Sequence, residues 1–171
     1  MSCVLYLVRH AIAEERATGR SDDDRRLTPE GIRKMRAVAL GLKRLGVRPD
    51  AILSSPLRRA HETATLLAEV LVPDLAVELC PVLAPAGGPA AVLAGLRAHR
   101  RSRHLLLVGH QPDLGELASQ LLTGSPARAP LPFKKGGVAA IEVASLPPRG
   151  VGTLQWFLTP KQLRAVGQAR G

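Results

Sequence analysis

The chain has 171 residues, 46% of them hydrophobic, and a formal charge of +10, enough apolar content for one sizeable core and a surplus of cations that favours anionic partners. No stretch approaches the run of about 18 apolar residues that a membrane span needs, and no basic segment with an apolar signal core opens the chain. One domain over residues 1–171, cytoplasmic and away from membranes, is therefore expected. Aromatics make up 2% and are not interleaved with basic residues, so no nucleic-acid partner is expected either.

Residues 3–8, Cys-Val-Leu-Tyr-Leu-Val, form a continuous apolar run, the pattern of a strand covered on both faces. A polar loop follows from Glu14 to Arg26. Thr28-Pro29-Glu30 then supplies an N-cap, a proline for the first helical position and an acid for the first turn. Ile32, Met35, Ala39, Leu42 and Leu45 continue on one helical stripe until Gly46 and Pro49. The cycle repeats with a strand at Ala51 to Leu53, a helix restarting at Ser55-Pro56 and stopping at Pro73, and a strand near Val77 to Leu79. After a Pro-, Ala- and Gly-rich loop (81–89) come a helix from Ala90 to about His99, a strand at Leu105 to Val108, and a helix from Pro112 to about Leu122. Strands alternating with helices predict an α/β fold of three layers, a mostly parallel central sheet with helices on both faces. Beyond Gly124, Gly137 to Ala144 and Thr153 to Leu158 read as strands joined at Pro147-Pro148-Arg149-Gly150, which makes the sheet mixed.

In such sheets the ligand crevice lies at the carboxyl ends of the strands. Arg9 and His10 follow the first strand, His110 follows the fourth, and Arg58 and Arg59 open the helix after the second. Guanidinium forks match phosphate oxygens and stay charged. A neutral imidazole can attack phosphorus to form a covalent phosphohistidine, and a second can donate to the moving oxygens. The pattern points to phosphoryl chemistry.

Other groups read more plainly. Glu14, Glu15, Glu62, Glu78 and Asp113 are taken as solvated side chains or helix-start charges, and Asp22-Asp23-Asp24 as a solvated run without metal-site spacing. His61, His99 and His104 are expected to be structural, and the basic stretch from Arg97 to His104 a solvated helix end. Cys3 and Cys80 lack metal or redox spacing and are expected as free thiols. No metal or cofactor is expected.

Leu-Val-Arg-His at 7–10, Arg26-Leu27-Thr28-Pro29-Glu30-Gly31, Ser55-Pro56-Leu57-Arg58-Arg59-Ala60 with Thr63 and Ala64, Val108-Gly109-His110, and Trp156 with Thr159-Pro160-Lys161 together resemble the histidine phosphatase superfamily. Within it, the likeness is to the SixA type of phosphohistidine phosphatase. The resemblance implies a phosphoglycerate mutase-like fold. His10 would accept the phosphoryl group, with Arg9 its neighbouring clamp, Arg59 the second clamp and His110 the second imidazole. The family arginine stands directly before alanine, so Arg59 matches and Arg58 is a surface neighbour. The family glycine after the histidine is Ala11 here, which matters only if that position needs a positive backbone angle. The inserted catalytic acid of larger relatives has no counterpart, since the third strand and its helix use most of the interval from Arg59 to His110. A phosphoramidate needs such an acid less than an ester does, because its nitrogen leaving group can already carry a proton. A metal-independent phosphatase acting on protein phosphohistidine is therefore expected, as a monomer. The alternatives are a phosphatase or phosphotransferase acting on a small phosphorylated substrate, and a phosphate-binding module without catalysis.

Overall fold

A computed structural model describes residues 2–169 of the chain. Six strands, β1 (Cys3–Arg9), β2 (Ala51–Ser54), β3 (Val77–Leu79), β4 (His104–Gly109), β5 (Val138–Val143) and β6 (Thr153–Leu158), form one sheet in the order β3-β2-β4-β1-β5-β6. The first four run parallel; β5 pairs antiparallel with β1, and β6 with β5. Five helices accompany it: α1 (Pro29–Arg44), α2 (Arg58–Leu71), α3 (Pro89–Gly95), α4 (Asp113–Thr123) and α5 (Pro160–Gln168).

The unbroken apolar run of β1 now has its explanation. Side chains alternate across a strand, so Tyr6 and Val8 enter the core shared with α1, α2 and α5 while Cys3, Leu5 and Leu7 enter the core shared with α3 and α4. Both faces are covered, so neither alternate set can be polar. Among the described residues no helix is long and apolar enough to cross a membrane.

Element boundaries follow local chemistry. The Thr28 hydroxyl accepts from the Gly31 N–H at 2.9 Å, capping α1 as its sequence predicts. The expected stripe is narrower in fact, because Ile32 and Leu45 are exposed and Val38 takes a buried place beside Met35, Ala39 and Leu42. The helix expected over 90–99 is α3 followed by a 3₁₀ turn, Leu96–His99. His104, grouped with the basic patch, starts β4, where the Tyr6 hydroxyl lies 3.3 Å from its Nδ1.

Helix α5 has no counterpart in the sequence reading, although Thr159-Pro160 repeats the cap-then-proline order of Thr28-Pro29. Thr159 and Gln162 form a reciprocal capping box. The helix lies against α1 so closely that a Cβ on Gly41 would stand 2.0 Å from the Leu163 carbonyl oxygen. Glycine permits that contact.

Candidate active site

The register of two strands brings the histidines together. β1 and β4 pair in parallel with Arg9 opposite Gly109, and the His10 N–H donates to the Gly109 carbonyl at 3.1 Å. The next residue on each strand end is a histidine, and their ring centroids lie 5.2 Å apart. On the other side of β4, the Ser55 N–H donates to the Val108 carbonyl at 2.9 Å, which places the start of the β2–α2 connection beside His110. Three adjacent strand ends thus converge, as the crevice rule for open sheets anticipates.

The resulting cleft, about 650 Å³, is lined by Arg9, His10, Arg59 and His110 together with Asp22, Arg25 and others. His10, Arg59 and His110 are 6%, 4% and 3% exposed, so their chemistry is set by neighbours rather than by bulk water.

His10 Nδ1 lies 2.8 Å from the Ala11 carbonyl oxygen. A carbonyl can only accept, so Nδ1 carries the hydrogen and Nε2 keeps its lone pair. Burial, outweighing the Ala11 bond and joined by the charges of Arg59 and Arg9, pushes the His10 pKa down to about 3. The ring is neutral near pH 7. Ala11 is free of the strain that its place in the motif raised, since Ala86 is the non-glycine residue with positive φ among those described. Its N–H donates to Thr63 Oγ1 at 3.0 Å, and the Thr63 hydroxyl donates to the Arg59 carbonyl at 2.7 Å, tying the loop after β1 to α2.

His110 Nε2 meets Ser55 Oγ at 2.8 Å, while its Nδ1 is buried without a partner. Burial, then the charge of Arg59, lowers its pKa to about 4. Arg9 donates through Nη1 to the Phe133 carbonyl at 2.7 Å, and its Nε, like that of Arg59, is buried and unbonded. Buried donors are rarely left so. Here three such nitrogens belong to residues that line one cleft.

Two carboxylates differ from the sequence reading. Asp22 is no solvated side chain: its Oδ2 accepts from Arg59 Nη2 at 3.0 Å, its Oδ1 from Arg25 and Arg16 at 2.9 Å each, and its carbonyl from Arg59 Nη1 at 2.7 Å. Desolvation works to raise its pKa, but the bonds from Arg25 and Arg16 and the charge of Arg59 win and hold it at about 2. Glu62 accepts from the Leu27 N–H at 2.8 Å and pairs with Arg58, also at 2.8 Å. That pairing keeps Arg58 on the surface, as its displaced position in the motif suggests. Nothing in the spacing of the aspartate run marks Asp22, because its partners come from α2 and from its own loop. Ser55 was visible as a motif residue without a role.

Comparisons with known proteins identify the family and the fold. Residues 5–84 match the model of the histidine phosphatase superfamily, branch 1. An uncharacterized protein of Picosynechococcus sp. is 41% identical over 145 residues, covering 80% of this chain and 83% of its own. The structure of the protein histidine phosphatase SixA complexed with tungstate superimposes with a TM-score of 0.82 at 28% identity, covering 94% of this chain and 99% of that one. The alpha-ribazole phosphatase of Shigella flexneri shares the fold with a TM-score of 0.71 at 20% identity over 92% and 96% of the two chains. Matched motifs, the paired histidines at neighbouring strand ends and the shared architecture have one common source: the chain belongs to the histidine phosphatase superfamily.

Proposed function

We propose that this phosphatase hydrolyses phosphohistidine on a protein, without a metal, through a covalent phosphoryl group on His10. The carrying observation is the Ala11 carbonyl on His10 Nδ1, which leaves a buried, neutral Nε2 as nucleophile in a cationic cleft. The phosphoryl group sits between Arg9 and Arg59, whose forks take over the charge neutralisation that a metal supplies elsewhere. Nε2 attacks phosphorus in line, the P–N bond of the substrate breaks, and the leaving imidazole departs with the proton it already carries. Water then attacks the phosphorus on His10, releasing phosphate and regenerating the free imidazole.

His110 stabilises charge on the equatorial oxygens. The Leu57 N–H donates to Ser55 Oγ at 3.3 Å, so the Ser55 hydroxyl hydrogen can turn to His110 Nε2, and Nδ1 then bears the hydrogen offered to phosphate.

The substrate reading rests on the protons. Asp22, the carboxylate bonded to Arg59, is held at about 2 and stays ionised at working pH, so it has no proton for an alkoxide leaving group. A phosphoramidate does not require one. The SixA structure that this chain resembles is complexed with tungstate, a tetrahedral oxyanion like phosphate, which supports an oxyanion as the ligand of this fold.

The test is brief exposure of the enzyme to a radiolabelled phosphohistidine protein with EDTA present, followed by acid and base treatment. An acid-labile, base-stable label on His10, absent together with turnover in His10→Ala, is the expected result. Persistent turnover in that variant ends the covalent mechanism, and a strong preference for sugar phosphates over phosphohistidine ends the substrate assignment in favour of a small-molecule ester.

A further inference from the structure

Beside the catalytic cleft lies a second pocket of about 200 Å³, large enough for a carboxylate or phosphate group but not for a nucleotide. Its floor is apolar, built partly from Met35 and Val38, while its rim carries Lys34 from α1, Lys135 from the loop before β5, and Lys161 and Arg164 from the first turns of α5. Ala11, which follows the proposed nucleophile, also lines it. Lys135 borders both cavities, so the basic surface runs without a break from the catalytic cleft into this pocket.

The charges here are not explained by the fold. A helix start carries positive potential and favours acids, yet α5 has no acidic residue in its first turn and places Lys161 there instead. Glu30 is the neighbouring carboxylate; it bonds to Lys34 at 2.5 Å, and its pKa is lowered first by that bond and further by the charges of Arg33 and Arg164. Four cations on three elements thus line one small pocket whose lining holds no carboxylate. Concentrated repulsion of this kind costs stability unless an anion offsets it.

We propose that this pocket is a docking site for acidic side chains flanking the phosphohistidine of the protein substrate. The proposal rests on the phosphohistidine reading and adds its partner chemistry, an acidic segment spanning the two cavities with the phosphoryl group in one and a carboxylate in the other. Lys161 and Arg164 contribute binding to the substrate chain and nothing to the chemical step.

The experiment compares wild type with the double variant Lys161→Glu/Arg164→Glu on three substrates: a phosphohistidine peptide flanked by Asp and Glu, the same peptide flanked by Asn and Gln, and free phosphoramidate. In the variant, KM for the acidic peptide is expected to rise about tenfold at unchanged kcat, as reversal of rim charges does, and the difference is expected to shrink in high salt. Activity on phosphoramidate is expected to stay within about twofold, which also reports that the variant folds. If phosphoramidate activity is lost too, Lys161→Ala/Arg164→Ala replaces the double reversal and is read in the same way. An unchanged KM for the acidic peptide, with turnover of both peptides intact, overturns the docking site and leaves the phosphohistidine reading standing. A wild-type enzyme that hydrolyses none of the three overturns both.

Discussion

Asp22 grips Arg59 at two points, its carbonyl oxygen 2.7 Å from Nη1 and its carboxylate 3.0 Å from Nη2, so the orientation of a buried guanidinium is set by a residue from a distant loop. The carboxylate limits the side-chain freedom of Arg59, and the backbone contact survives its removal. Asp22→Ala is therefore expected to lower kcat about tenfold through looser positioning, with Asp22→Asn recovering most of it. Steady-state kinetics on both variants check this. Equal kcat in wild type and Asp22→Ala would show that Arg59 is held by its surroundings alone.

Ser55 supplies the 2.8 Å partner of His110 Nε2 inside the protein. Ser55→Ala leaves that nitrogen buried and unpaired, at a cost of about 1–3 kcal/mol in stability, and frees the tautomer, so kcat is expected to fall together with the denaturation midpoint. Chemical denaturation and initial rates on the one variant provide both numbers. A stable but slow enzyme would keep the tautomer role and discard the stability claim.

Burial of neutral imidazoles has a pH signature. His10 and His110 are lowered from 6.5 to about 3 and about 4. Above 6.5 both rings are neutral in the folded and unfolded chains. As the pH falls from 6.5 toward 4 the unfolded chain binds up to two protons that the folded one refuses, so stability drops, by at most about 2.7 kcal/mol per pH unit. Asp22 adds its loss only lower, as the pH falls through 3.8 toward 2. Urea titrations at pH 7.5 and 5 should show the decline, with a shallower slope in His110→Asn. Because the nucleophile stays neutral, no enzyme group is expected to make kcat/KM titrate near 6.5; an inflection there that vanishes in His110→Asn would place a charged His110 in the working enzyme.

The α1–α5 contact can be probed at Gly41. Alanine would gain up to about 1 kcal/mol in helix propensity. Its Cβ, however, would stand 2.0 Å from the Leu163 carbonyl oxygen, a backbone atom that no rotamer change can move aside. Overpacking costs about 1–3 kcal/mol, so Gly41→Ala is expected to lower the melting temperature. A raised one would mean that α5 packs elsewhere in solution.

Local patterns carried much of this fold in the sequence. The doubly buried β1, the capped start of α1 and the chain of alternating strands and helices were legible because periodicity and caps act over a few residues. Arg9, His10 and His110 were legible as candidates because each follows a strand end, and Arg59 because the motif it resembles sets the arginine directly before alanine. Helix α5 was not read, although Thr159-Pro160 with Gln162 is a capping signature, because its nine residues bury one side chain, Leu163, and so offer little apolar periodicity.

What the chain by itself determined, then, was the kind of side chain offered at each strand end. Only tertiary structure decided how they meet: the pairing of Arg9 with Gly109 sets the two imidazoles side by side, and loop packing carries Asp22 to Arg59. Register and loop placement are settled by hydrogen bonds and burial between segments far apart in the chain, and runs that are buried on both faces, such as β1 and β4, lack the alternation that would reveal a register.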